Sequence, residues 1–391
     1  MVREAAITAY LFFFRIVFSM LKLFPQQNKT VCVASFGDNI YYTASAIRDV
    51  SDERVVILKD SQCRYAFDAS VADIVPFDIK HPFAYFLSIY HLATAKTVIV
   101  DNYFGFLAVT NFKPGTVCVQ LWHAVGALKR FALMDPSISN RSKRAKQRFQ
   151  NVYSRFDYVT AGSERMAQIF QKSFSLGDDA IIRTGVPRTD VFFDSNEQKN
   201  IIKVLRKMYP VIETKKVILY APTFRDDELD NYKIQLNIKQ MYEKLGDAYV
   251  LFVKNHPAVT YHLSQELDSF VYDVSDYYDA NHILLITDIL ITDYSSIPCE
   301  FALLERPMIF YAYDLQEYKN TRGLLYQYQI DMPGPIAYTT EDIIRIVQES
   351  KFDKNEIKRF AEAWNRYSNG QSSFNVARFL NQTDLDQQMV K

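Results

Sequence analysis

The sequence predicts an α/β fold of two doubly wound, parallel-sheet domains preceded by an amphipathic helix. Three observations carry this. Short β-branched, apolar runs recur along the chain with helical stretches between them, the pattern of parallel strands joined by crossover helices. The 391 residues are long for one core and comfortable for two. A charged helical stretch, Glu197 to Tyr209, breaks the alternation near the middle, and a second strand–helix series starts at Lys216.

Composition narrows the class. With 49% apolar and 15% aromatic residues the chain is globular, not disordered. Lysine plus arginine and aspartate plus glutamate both number 45, so there is no global attraction for nucleic acid, and any anion binding must be local. The cysteines (Cys32, Cys63, Cys118, Cys299) lack paired spacing and read as reduced core residues, not zinc or disulfide sites. There is no internal repeat, and nothing in the sequence sets an oligomeric state.

Residues 1–27 form the predicted amphipathic, membrane-associating segment. Ala5 to Phe24 is strongly apolar but interrupted by Arg15 and Lys22. On a helix Thr8, Arg15, Ser19 and Lys22 share one stripe, and Ile7, Leu11, Phe14, Phe18 and Leu21 lie opposite. The uncharged run between Glu4 and Arg15 is too short to span a bilayer, which takes ~20 residues. Leu23-Phe24-Pro25-Gln26-Gln27 follows, where a signal peptide would have a small-residue cleavage site. The expectation is a helix that lies on the membrane or packs on the body of the protein; a plain amphipathic core helix fits the same stripe.

Residues 28–196 are the first predicted domain. Its strands are Thr30 to Phe36, ending in Gly37-Asp38-Asn39, then Arg54 to Leu58, Thr97 to Asn102, Thr116 to His123 and Arg155 to Gly162. Residues 197–355 are the second, with strands at Val217 to Pro222, Tyr249 to Lys254, Phe270 to Tyr272, Ile289 to Thr292 and Met308 to Tyr311. Residues 356–391 are a helix expected to pack back toward the first domain, and a tail. Two Rossmann-like domains facing a cleft make the GT-B architecture.

Ligand chemistry is expected at strand ends. Ile289 to Thr292 runs into Asp293-Tyr294-Ser295-Ser296 and then a helix with Pro298 in its first turn. Free N–H groups, the helix dipole and two hydroxyls suit a phosphate there, although a serine N-cap without a ligand explains the same residues. His123 and His256 each end a strand, one per domain. Histidine takes a proton near neutral pH, as a base activating a hydroxyl must. His81, His91, His262 and His282 lack that setting and read as structural or surface. Cations gather at the same edges: Lys129, Arg130, Arg188, Arg225, Lys254 and Arg322. Guanidinium forks match phosphate oxygens, though any one of these cations is also explained as a solvated charge. Asp226-Asp227-Glu228 reads as a solvated turn, so neither a metal nor another cofactor is expected. Lys129 to Arg155 is basic with interleaved Phe131, Leu133 and Met134; it reads as an exposed basic helix or as a contact for anionic headgroups.

Together these pieces resemble the CDP-glycerol glycerophosphotransferases of wall teichoic acid synthesis. The resemblance rests on Gln120-Leu121-Trp122-His123-Ala124 with Leu128-Lys129, Gly185-Val186-Pro187-Arg188-Thr189-Asp190, and Leu219-Tyr220-Ala221-Pro222-Thr223-Phe224-Arg225. Lys254-Asn255-His256-Pro257, Thr292-Asp293-Tyr294-Ser295-Ser296, and Phe310 to Asp314 through Tyr318 to Arg322-Gly323 complete it. Within the family the chain looks most like the primase branch. Ala124 stands where polymerases typically have glycine, Asp101-Asn102-Tyr103-Phe104 is primase-like, and the extra N-terminal domain usual in large polymerases has no counterpart in these residues.

The resemblance implies a peripheral enzyme on the cytoplasmic face of a Gram-positive membrane. It would transfer glycerol phosphate from CDP-glycerol to the N-acetylmannosamine of an undecaprenyl-diphosphate-linked disaccharide, releasing CMP. The first domain would serve the acceptor and the second CDP-glycerol. His123 would be the base; His256, Arg225, Lys254, Ser295, Ser296, Arg322 and Gly323 would hold the donor, with Asp293 ordering its turn and Lys129 and Arg188 on the acceptor or its phosphates. The rivals are a glycerol- or ribitol-phosphate polymerase of the same family, a nucleotide-sugar glycosyltransferase, and a non-catalytic membrane scaffold that kept the fold.

Overall fold

The computed structural model describes residues 2–223, 234–255 and 267–389. The chain divides into unit 1, made of Met1–His123, Phe131–Asp190 and Tyr367–Lys391, and unit 2, made of Ala124–Arg130 and Val191–Arg366.

Unit 1 begins with helix α1 (Val2–Leu21). Its sheet contains β1 (Lys29–Ala34), β2 (Arg54–Asp60), β3 (Asp73–Phe77), β4 (Thr97–Val100), β5 (Val117–Gln120), β6 (Tyr158–Thr160) and β7 (Ile181–Ile182). All pair in parallel, in the order β3-β2-β1-β4-β5-β6-β7. The valine-rich strands β1, β4 and β5 are buried along their whole length, as strands covered on both faces must be. The helices of this unit are α2 (Asp38–Val50), α3 (Pro82–Thr94), α4 (Lys143–Tyr153) and α5 (Glu164–Phe174), and the last helix, Ser372–Met389, adds Val376, Ala377 and Leu380 to the core around α2.

Unit 2 opens with α6 (Ser195–Met208), capped by the Asp194 carboxylate. Its sheet holds β8 (Lys216–Ala221), β9 (Tyr249–Val253), β10 (Val271–Asp273), β11 (Ile289–Thr292), β12 (Met308–Tyr311) and β13 (Ile336–Ala337), all parallel, in the order β10-β9-β8-β11-β12-β13. Helices α7 (Ile238–Leu245), α8 (Ala280–Leu285), α9 (Ile297–Phe301) and α10 (Leu315–Arg322) lie between strands.

Each sheet reverses its strand order once, between β1 and β4 in unit 1 and between β8 and β11 in unit 2. Loops leave in opposite directions at such a point and open a crevice at the carboxyl ends of the strands.

Helix α1 packs on its own unit by one face. Leu11, Phe14, Val17 and Phe18 are buried, Phe14 stacks on Phe106 at 5.2 Å, and the hydroxyls of Tyr10 and Tyr85 lie 2.7 Å apart. A second apolar face stays uncovered, with Phe12 66% and Met20 64% exposed beside Phe13, Ile16, Leu23 and Phe24. Helix α3 extends it: Phe83 is 85% exposed, Phe86 and Leu87 are exposed too, and Phe13 meets Phe86 edge-on at 6.0 Å. By length and mean hydropathy (1.6 over Arg3–Leu21), α1 is the one helix among the described residues that fits a membrane span. The basic helix α4 is tied to it through Arg148, whose guanidinium forks onto the Glu4 carboxylate with both N···O distances 3.2 Å. All four cysteines are free and buried, and burial pushes the Cys63 thiol up to about 12.

Candidate functional site

In unit 1 the site grows from the turns after β1, β4 and β5. The strand expected to run through His123 stops at Gln120, because Trp122 adopts a left-handed φ of 59° that ends the ladder. Such a conformation costs about 1–3 kcal/mol at a bulky residue and persists only when its surroundings impose it. They do so at four atoms. The Trp122 N–H donates to Gln120 Oε1 (2.8 Å), Thr160 Oγ1 donates to the Leu121 carbonyl (3.2 Å), Asn39 Nδ2 to the Trp122 carbonyl (3.0 Å), and Arg188 Nη1 to the His123 carbonyl (3.1 Å).

The half-buried His123 is then oriented by its ring. Nδ1 lies 3.0 Å from the Asp101 carbonyl oxygen. A carbonyl only accepts, so Nδ1 carries the hydrogen and Nε2 is the basic nitrogen of the neutral ring. Phe36 stacks on the imidazole at 4.1 Å and 11°, and Trp122 at 4.3 Å and 28°. Asp101, fully buried at the switch point, accepts from the N–H groups of Ser35 (2.9 Å), Phe36 (2.9 Å) and Gly37 (2.8 Å). Burial raises its carboxyl to about 7, and the three N–H donors pull the other way. Gly37 is required in that turn: its φ is 100°, and a Cβ there would sit 2.5 Å from Tyr65 Cβ.

Arg188 is built into this frame. Its guanidinium pairs with Asp38 at 2.7 Å in a largely buried ion pair, and its backbone N–H donates to Asn39 Oδ1 (2.8 Å).

Unit 2 repeats the device at its own switch point. Asp293 Oδ1 accepts from the N–H groups of Thr223 (2.7 Å), just past β8, and Tyr294 (2.6 Å), just past β11. The Asp293 carbonyl accepts from Tyr328 (2.7 Å), and Tyr294 stacks on Tyr318 at 3.8 Å. This turn leads to Ser295 and Ser296, both half-buried at the start of α9, which is only five residues long. Lys254, after β9, donates to the Tyr277 carbonyl (3.0 Å). Arg322 ends α10, and Gly323, with φ 71°, turns the chain so that its carbonyl accepts from the Arg130 N–H (3.3 Å) and Leu324 bridges Lys129. Lys129 therefore stands beside Arg322 and Gly323 in unit 2, a neighbourhood the sequence does not reveal.

Arg225, His256, His262 and the Asp226-Asp227-Glu228 run lie outside the described residues. His91 and His282 belong to buried polar clusters, His91 beside Lys29 (3.1 Å) and His282 beside Tyr277 (3.1 Å). Burial lowers the His91 imidazole to about 4. Sequence reasoning passed over Phe36, Asp38 and Asn39 as functional residues; the only signal was the Gly37-Asp38-Asn39 turn closing the first strand.

Two parallel sheets of this order, each with an aspartate-braced turn at its switch point, define a two-domain α/β protein, a class in which ligands bind at strand carboxyl ends. The chain belongs to the CDP-glycerol:poly(glycerophosphate) glycerophosphotransferase family, whose sequence model matches residues 16–382. It is a transferase of that family. A teichoic acid glycerol-phosphate primase of Bacillus subtilis (strain 168) is 37% identical over 388 residues, 97% of this chain and 98% of the relative. A teichoic acid poly(ribitol-phosphate) polymerase of Bacillus spizizenii (strain ATCC 23059 / NRRL B-14472 / W23) is 35% identical over 69% of this chain but only 44% of its own length. The solved wall teichoic acid polymerase TagF, H444N variant, shares the fold with a TM-score of 0.82 at 23% identity, covering 100% of this chain and 99% of that one.

Proposed function

We propose that the protein is a teichoic acid glycerol-phosphate primase. It transfers sn-glycerol 3-phosphate from CDP-glycerol to the N-acetylmannosamine of an undecaprenyl-diphosphate-linked disaccharide and releases CMP. The observation that carries this is the 37% identity to a primase over nearly the whole of both chains, above the 29% and 35% identity of matching polymerases.

In this reading unit 1 serves the acceptor. The acceptor hydroxyl gives its proton to His123 Nε2 as its oxygen attacks the glycerol-bearing phosphorus, and the bond from that phosphorus to the oxygen of CMP breaks. Phosphoryl transfer of this kind depends on in-line placement and charge stabilisation more than on covalent help. Unit 2 supplies the charge: Arg225, Lys254, His256 and Arg322 with the Ser295 and Ser296 hydroxyls hold the diphosphate at the turn Asp293 orders and Gly323 shapes. Lys129 adds positive charge for phosphate groups, whereas Arg188, expected from the sequence to do the same, is paired with Asp38 and holds the frame of His123. The GT-B arrangement, with the two units facing a cleft, is part of the same proposal, and neither a metal nor another cofactor enters it.

The enzyme works, on this reading, as a peripheral protein on the cytoplasmic face of the membrane. The uncovered apolar face of α1 and α3 supports this, and so do the exposed cations Arg141, Lys143 and Arg144 at α4, because apolar insertion plus anionic attraction is the two-signal pattern of stable anchoring.

Incubation with CDP-glycerol and the unprimed lipid-linked disaccharide should yield CMP and a lipid heavier by one glycerol phosphate, in equal amounts. CDP-ribitol in place of CDP-glycerol should yield neither. Absence of CMP with CDP-glycerol, or release of a nucleoside diphosphate from a nucleotide sugar, would overturn the assignment.

A further inference from the structure

The surroundings of His123 do more than bury it. Two nearly parallel rings about 4 Å away can only occupy opposite faces of an imidazole, so Phe36 and Trp122 enclose it as a sandwich. The two walls are anchored differently. Trp122 is rooted in an aromatic cluster, stacking on Phe131 at 5.0 Å and meeting Phe174 edge-on at 5.4 Å. Among the described residues Phe36 has no such root: it is 45% exposed and sits in the loop after β1. What holds that loop is Asp101, whose carboxylate takes the N–H groups of Ser35, Phe36 and Gly37, and whose own carbonyl takes His123 Nδ1. One residue thus braces both the edge of the imidazole and the wall on one of its faces. An exposed phenylalanine contributes little to a core, so its stacking on His123 is the contact its position serves.

We propose that Phe36, braced by Asp101, is a positioning residue for the transfer: with Trp122 it sets the plane in which the His123 imidazole meets the acceptor hydroxyl. This rests on the reading of His123 as the base. Asp101 holds Nδ1 through the main chain, which makes Nε2 the basic nitrogen, and Phe36 keeps the ring from tilting about that hydrogen bond. Misplacement of a reacting group by about 1 Å costs on the order of 100-fold in rate, so a ring freed on one face loses turnover without losing substrate.

The test is steady-state kinetics of the full-length protein with CDP-glycerol and the lipid-linked disaccharide, comparing wild type, Phe36→Leu, Phe36→Tyr and His123→Ala. Phe36→Leu keeps the apolar bulk and removes the flat face. It should lower kcat by about 10- to 100-fold with both KM values within about twofold and an unchanged melting temperature. Phe36→Tyr should restore kcat to within a few-fold of wild type. A wild-type kcat in Phe36→Leu overturns the proposal, and so does a raised acceptor KM at unchanged kcat, which would make Phe36 a substrate contact. His123→Ala separates the two levels. An inactive His123→Ala with a normal Phe36→Leu defeats this inference alone, whereas an active His123→Ala defeats the base assignment and this inference with it.

Discussion

Replacing Phe12 and Phe83 together by serine is expected to weaken binding to anionic vesicles by roughly 100-fold while leaving the fold intact. These side chains are 66% and 85% exposed, so between them they offer about one and a half phenylalanines of apolar surface that the protein does not use. Fully burying one such side chain gains about 1.5–3 kcal/mol, which puts the loss on membrane release near 3 kcal/mol. At 1.4 kcal/mol per decade that is a little over two orders of magnitude in partitioning. Because neither ring is in the core, the melting temperature should stay close to wild type. Lys143→Glu with Arg144→Glu should weaken binding further, by about 1 kcal/mol or more per charge, and this part alone should fade as salt rises. The assay is co-sedimentation with phosphatidylglycerol-rich vesicles, run beside a thermal melt. Vesicle binding within about threefold of wild type, in a properly folded double variant, would refute the account of the α1–α3 face.

His123→Ala should reduce turnover by about 100- to 10,000-fold, the usual contribution of a general base, while CDP-glycerol binding measured by calorimetry stays within a few-fold of wild type. Arg188→Met should cost about 3–5 kcal/mol in urea unfolding, because it strands the Asp38 carboxylate in a largely buried place; adding Asp38→Asn should recover part of that loss. Lys29 gives a pH signature. Burial lowers its ammonium from 10.5 to about 8, so between those values the unfolded chain binds the proton more tightly and wild-type stability rises with pH. The melting-temperature difference between wild type and Lys29→Met should therefore shift in favour of wild type from pH 8 to pH 10, and a flat difference would contradict the assignment.

The parallel strands were legible because each is a short apolar run with its own turn residues. Thr30 to Ala34, Val250 to Val253 and Ile289 to Thr292 are buried ladders as the pattern indicates. His123 was legible as a candidate from its place just past such a run, which the structure ends at Gln120. Its immediate frame was not, for three physical reasons. The left-handed Trp122 has no glycine or asparagine to announce it, since tertiary hydrogen bonds and not local propensity impose it. Asp38 and Asn39 read as ordinary turn residues, and only the fold brings them to Arg188 and the Trp122 carbonyl, more than 80 positions away. Asp101 is more than 60 positions from the N–H groups it accepts, a distance no local pattern spans. The stripe of α1 was readable, and Leu11, Phe14 and Phe18 are the buried side as expected. Its second apolar face was missed because Phe12, Phe13, Ile16 and Met20 fall outside a one-stripe pattern.

The most direct test of the central claim is CMP release from CDP-glycerol with two acceptors in parallel, the unprimed lipid-linked disaccharide and the same lipid already carrying one glycerol phosphate. A primase turns over once per unprimed lipid and leaves the primed lipid unchanged. Repeated turnover on the primed lipid would contradict that account and make the protein a polymerase.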